Sequence, residues 1–292
     1  MKREAMVVIV VMGLWSARSS VAQSTKNGEM ALIPGATFMM GIDEEELPRF
    51  QKLFGVTGRE LFEPAMPKHS VAIESFYIDP KLVTNAEFKR FVDGHAEWQA
   101  DRIAMSLHNG HYLAHWKGNE PPAGRTRHPV VNVTWYAAVA YCQAEGKRLP
   151  SEAEWEFAAK GTSDGVFPWG DAPADKRRAN FSDSGIGSTS AVGSYAPNGF
   201  GLFDMSGNVW EYLADEWAAY SSNVSGAPKN PVGGGDLFAS GDRYLQVKTR
   251  RVIRGGSWGG APINLWVEYR DSHLPENAKD FVGFRCAKSA EK

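Results

Sequence analysis

The sequence predicts an α+β fold dominated by irregular, loop-rich structure. Short strand-like and helix-like segments follow one another without a repeat, a heptad or a clean βαβ alternation. The 292 residues include 30 glycines and 10 tryptophans, a combination that favours turns held by aromatic packing over long repetitive helices. At 43% hydrophobic and 23% charged, the chain can bury one large core or two small ones. Its formal net charge of -2 offers no field for nucleic acid or for an anionic membrane surface.

At the N-terminus, Lys2 and Arg3 precede an apolar run from Met6 to Ala17, and Ser20-Val21-Ala22 follows it. This reads as a signal peptide over residues 1–22: a basic n-region, an h-region too short to span a bilayer, and a small-residue cleavage site. The mature chain then starts near Gln23, in an exported protein with no other segment able to cross a membrane. A single domain is expected over residues 30–290.

Within that domain, ALIPGATFMMG (31–41) reads as strand, turn and strand, and residues 43–58 as helical. HSVAIESFYID (69–79) alternates apolar and polar residues as one strand does. Thr84 and Glu87 form a capping box opening a helix with Phe88 and Phe91 on one face, and residues 94–127 read as an inserted loop region. Thr134 caps a second helix that Gly146 stops, and Ser151 with Glu154 caps a third that ends at Gly161. Periodicity then fades until RRVIRGGSW, LWVEYR and FVGFRCA, which are expected to be short strands.

Cys142 and Cys286 are the only cysteines, and in an oxidising compartment two such residues most simply form one disulfide. It would close a loop of about 145 residues and stabilise by up to ~5 kcal/mol in the chain-entropy model. The alternative, a reactive thiol, lacks a local group that would depress either pKa. His108, His111 and His115 would share a face for a metal only in a helix, and Asn109-Gly110 signals a turn instead.

Five stretches in order, GKRLPSEAEWEFAAKG, FPWG, NGFGLFDMSGNVWEY, RVIRGGSW and GFRCA, resemble the formylglycine-generating enzyme, or sulfatase-modifying factor, family. The resemblance runs from about Met30 to Lys288. It implies a single-domain, loop-rich α+β fold related to the C-type lectin core, and the pairing of Cys142 with Cys286. It also implies a structural calcium ion held by Asp204, the carbonyls of Gly207 and Val209, and Glu211, oxygen donors that suit a hard cation. A second ion would use Asn180 and the Phe181 carbonyl with an acidic group near position 184, where this chain has Ser184 and places Asp183 one residue early.

Family enzymes that oxidise a substrate cysteine hold copper with two cysteines in the segment after GGS. Here that segment carries Gly259-Gly260 and Leu265-Trp266, so no thiolate site for Cu(I) and no copper are expected. Trp210, Ser257, Trp258 and Arg270 remain as pocket candidates. Strand alternation in LWVEYR would place Trp266, Glu268 and Arg270 on one face, with Glu268 as a general acid or base or else as half of a surface ion pair with Arg270. The resemblance extends to the exported branch without copper cysteines, which includes siderophore (pyoverdine) maturation. The implied function is a periplasmic oxidoreductase acting on an aromatic or peptide-derived small molecule. The other reading is a non-catalytic binding module, or an accessory factor for a periplasmic metalloenzyme such as nitrite reductase.

Overall fold

The computed structural model describes residues 30–221, 226–233 and 238–290. The expected signal peptide and its cleavage site lie outside these residues. No helix among the described residues is long and apolar enough to cross a membrane.

Four α-helices and nine short strands, separated by 3-10 turns and loops, are defined among the described residues. In chain order they are β1 (Ala31–Ile33), β2 (Ala36–Met40), α1 (Leu47–Phe54), β3 (His69–Ile73), β4 (Phe76–Ile78), α2 (Asn85–Gly94), α3 (Trp135–Ala144) and α4 (Glu152–Lys160). Then follow β5 (Trp210–Glu216), β6 (Arg251–Arg254), β7 (Arg270–His273), β8 (Val282–Gly283) and β9 (Ala287–Ser289). The strands form three sheets, ordered β1-β4-β9, β2-β3 and β7-β6-β5-β8.

The local signals locate the helices well. Thr84 accepts from the backbone of Glu87 and Ser151 from that of Glu154, each in a reciprocal capping box. Thr134 caps α3, a helix buried on all sides from Trp135 to Cys142, which is why it shows no polar stripe. The Cys142–Cys286 disulfide is formed, with Cα atoms 5.7 Å apart, and fastens α3 to the segment leading into β9.

Three strand expectations are corrected. HSVAIESFYID is two strands, because the chain changes sheets at Glu74-Ser75: β3 pairs with β2 and β4 with β1. LWVEYR is a strand only from Arg270. Before it, Pro262–Leu265 is a 3-10 turn, and Leu265, Trp266 and Val267 are consecutive residues with no solvent exposure. The segment is turn rather than extended chain up to Glu268, so its side chains do not alternate between two sheet faces. FVGFRCA likewise divides into β8 and β9.

Candidate functional site

Of the site candidates, Glu268 and Arg270 fall in one place and Trp258 in another. The first is a chain of alternating charges inside the protein. Arg254 and Arg270 are register partners on β6 and β7, so their side chains leave the sheet on one face, toward α4. There Glu152 Oε1 accepts from Arg270 Nε at 2.6 Å and from Arg254 Nη1 at 2.8 Å. Arg254 Nη2 donates to Glu156 at 2.5 Å, and Lys160 lies 3.5 Å from Glu156 and 2.8 Å from Glu268. The order Arg270, Glu152, Arg254, Glu156, Lys160, Glu268 is charge-neutral. Arg270 is further clamped by the Ala218 carbonyl and by the Tyr220 ring, 3.8 Å from its guanidinium carbon.

Glu268 is therefore not paired with Arg270, and the two share no strand face. Glu268 is 8% exposed, ends the chain of charges at Lys160, and keeps one buried oxygen, Oε2, without a hydrogen bond. Burial raises its pKa above the usual carboxylate range, with Lys160 opposing and Glu156 adding to the rise. Burial acts in the same sense on Glu156, but the Lys160 and Arg254 charges outweigh it and hold that carboxyl low.

The second place is a cleft of about 320 Å³ beside Trp258. Its walls come from the 115–132 loops, the Gly187–Thr189 loop, Trp258 and Asp280. Trp258 is fixed at both ends: its backbone N–H donates to the Asn208 carbonyl at 2.9 Å and its indole N–H to the Asp280 carbonyl at 3.1 Å. Asn208 also exchanges hydrogen bonds with Ser190 through its side-chain amide, at 2.9 and 3.2 Å, tying the 188–190 wall to the same turn. Gly256, at φ +72°, carries the chain into this loop; a Cβ there would lie 2.6 Å from the Asn264 carbonyl oxygen. Ser257 and Trp210 are buried, the Trp210 ring 5.9 Å from that of Tyr269. Neither they nor Glu268 and Arg270 are among the residues lining the cleft.

His115 lines the cleft with a polar atom to spare. The Asn132 amide donates to its Nδ1 at 3.0 Å, which leaves the neutral ring's proton on Nε2, and Nε2 is buried without a partner among the described residues. Burial lowers the His115 pKa, with Asp280 opposing and Arg125 assisting, so the ring is neutral at pH 7. Sequence reading weighed His115 only as a metal ligand with His108 and His111. No cluster of three His, Cys, Asp or Glu able to hold a metal occurs among the described residues. Arg125, Thr189 and Asp280 escaped sequence reading because they arrive from three separate loops with no local motif.

A family model described as the sulfatase-modifying factor enzyme 1-like domain matches residues 16–290. The chain belongs to the sulfatase-modifying factor family. It is 32% identical over 302 residues to the formylglycine-generating enzyme of Thermomonospora curvata, covering 88% of this chain and 92% of that protein. It is 30% identical over 327 residues to the inactive C-alpha-formylglycine-generating enzyme 2 of Bos taurus, covering 97% and 95%. Among solved structures, PvdO from Pseudomonas aeruginosa superposes with a TM-score of 0.65 at 24% identity, covering 89% of this chain and 94% of that one; this likeness shows the shared fold.

The segment after GGS, where the resemblance implies copper cysteines, carries Gly259-Gly260 and Leu265-Trp266, the latter two fully buried, and both cysteines of the chain form the disulfide. The family's calcium donors fit in part. Asp204 sits in the left-handed region at φ +54°, accepts from Gly193 N–H through Oδ2 at 2.7 Å, and keeps Oδ1 buried without a partner among the described residues, as a cation ligand would be placed. Glu211 already accepts from Nε and Nη2 of Arg285, at 2.7 and 2.9 Å. At the second donor set, the Ser184 hydroxyl stands 2.9 Å from Asn180 Oδ1 and 2.7 Å from the Phe181 carbonyl.

Proposed function

We propose that this protein is an exported, periplasmic sulfatase-modifying factor protein that oxidises an aromatic or peptide-derived small molecule, as in maturation of dihydropyoverdine to pyoverdine. The observation that carries this reading is the cleft beside Trp258, in a chain whose segment after GGS holds no thiolate. A soft-metal cysteine oxidation has no ligands here, while an aromatic ligand has a fixed indole beside which to lie. The His115 N–H donates to a carbonyl or imine of the bound chromophore and favours its enolic or enamine tautomer. Dioxygen then takes two electrons and two protons from that tautomer and leaves as hydrogen peroxide. Glu268, paired with Lys160, belongs to the separate buried charge chain and does not line this cleft.

The test is a deletion strain complemented with wild type, His115→Ala or Glu268→Gln, with siderophore-type metabolites compared by mass spectrometry. Accumulation of a precursor two hydrogens heavier in the deletion and His115→Ala strains is expected. Loss with Glu268→Gln alone, in a folded protein, would move the chemistry to the Lys160–Glu268 end. An unchanged metabolite profile in the deletion strain would leave the second reading, a non-catalytic binding or accessory module. The 30% identity to a relative named inactive favours that second reading.

We also propose one structural calcium ion, at Asp204, Gly207, Val209 and Glu211, supported by the orphaned Asp204 Oδ1. The Asn180–Phe181 pair already has a hydroxyl donor in Ser184 and is the weaker ligand set. Through Asn208 the ion would steady Trp258, so chelation should lower the melting temperature and change tryptophan fluorescence. Purified protein without calcium, and with the same melting curve in chelator, would remove this proposal.

A further inference from the structure

Arg125 is a cation without a carboxylate. It is half-buried in the wall of the Trp258 cleft, and no ion pair involves it among the described residues. Its partners are neutral and its contacts long: Ser188 Oγ at 3.3 Å, the Thr189 carbonyl at 3.1 Å and the Thr189 hydroxyl at 3.4 Å. His128 Nδ1 lies 3.3 Å away, and that ring is held neutral by burial and by the Arg125 charge itself. A guanidinium is more strongly satisfied by an anion than by hydroxyls and carbonyls, so this group has unspent binding capacity facing the cleft. The same cleft holds the unpartnered Nε2–H of His115. A guanidinium with only neutral partners, an N–H without an acceptor among the described residues and an indole line one concavity.

We propose that the cleft selects an aromatic ligand bearing a carboxylate, anchored by Arg125, while its ring lies beside Trp258 and His115 Nε2–H meets its carbonyl or imine. This rests on the aromatic-ligand reading above and names the charged end of that ligand. Asp280 is the counterweight. It is exposed on the rim, where solvent screens it, and its charge opposes an anion entering beside His115. It therefore sets how weakly such a ligand is held.

The experiment is calorimetric titration of the full mature chain with phenylacetate and, separately, with phenylacetamide, which has the same ring and shape without the charge. Phenylacetate should bind at least about tenfold more tightly. That preference should vanish in Arg125→Gln and grow in Asp280→Asn, an exposed change that leaves the backbone carbonyl holding Trp258 in place. Equal or weaker binding of the anion by the wild-type protein would overturn the carboxylate inference and leave the aromatic reading standing. Binding of neither probe would overturn both.

Discussion

Glu152 and Asp215 show how one carboxylate's partners decide its neighbour's charge. Glu152 accepts from Arg254 and from Nε and Nη2 of Arg270, and its own backbone N–H donates to Asp215 Oδ2 at 2.7 Å. Asp215 has no cation to itself. Burial, and then the Glu152 charge, push its pKa up to about 7, although backbone N–H groups of Gly233 and Glu152 pull the other way. A carboxyl whose folded pKa is raised contributes stability that is complete below its unfolded value, near 4, and is lost as pH rises toward 7. Asp215→Asn should remove this slope. Urea denaturation at pH 5 and pH 8 should show the wild type losing stability relative to the variant by a few kcal/mol. The hydrogen bond that an amide cannot make adds only a constant offset. Parallel pH profiles for the two proteins would mean that Asp215 is ionised throughout.

Helix α4 joins the sheet of β5–β8 through charges rather than through an apolar face alone. Arg254 is its central link, fully buried over the Trp155 ring with a centroid distance of 5.4 Å. Arg254→Leu would strand Glu156 and weaken the hold on Glu152, and breaking such a buried pair costs about 3–5 kcal/mol. Adding Glu156→Met should restore part of that loss, measured as a double-mutant cycle in urea; additive losses would show that the two do not couple. Elements of this kind mark the limit of sequence reading. The capping boxes at Thr84 and Ser151 were legible because their partners lie three residues away. The Arg254–Glu156 and Arg270–Glu152 bonds join residues 98 and 118 positions apart, and nothing local announces them. So Glu268 and Arg270, two residues apart in sequence, read as one strand face, whereas they terminate opposite ends of the charge chain. Of the cleft, Trp258 was legible from its motif, while Arg125 and Asp280 depend on how three loops meet.

Across the molecule, the ends of the domain are held together twice. Strand β4 pairs with β1 on one side and β9 on the other, so the first and last strands share a sheet. Arg148 and Ala287 exchange backbone hydrogen bonds at 2.8 and 2.7 Å, next to the Cys142–Cys286 bridge. The disulfide therefore closes a contact that backbone pairing already specifies, and its contribution lies mainly in restricting the unfolded chain across a separation of 144 residues. A Cys142→Ser/Cys286→Ser protein should then keep its fold at 25 °C, with native near-ultraviolet dichroism, because the native contacts survive. Its stability should fall by about 2–5 kcal/mol, which for a domain of this size is a drop of about 4–20 °C in melting temperature. A variant that is unfolded at 25 °C would show that the bridge itself, and not the Arg148–Ala287 pairing, positions α3 against the end of the chain. An unchanged melting temperature would show that the unfolded chain is already restricted at this contact without it.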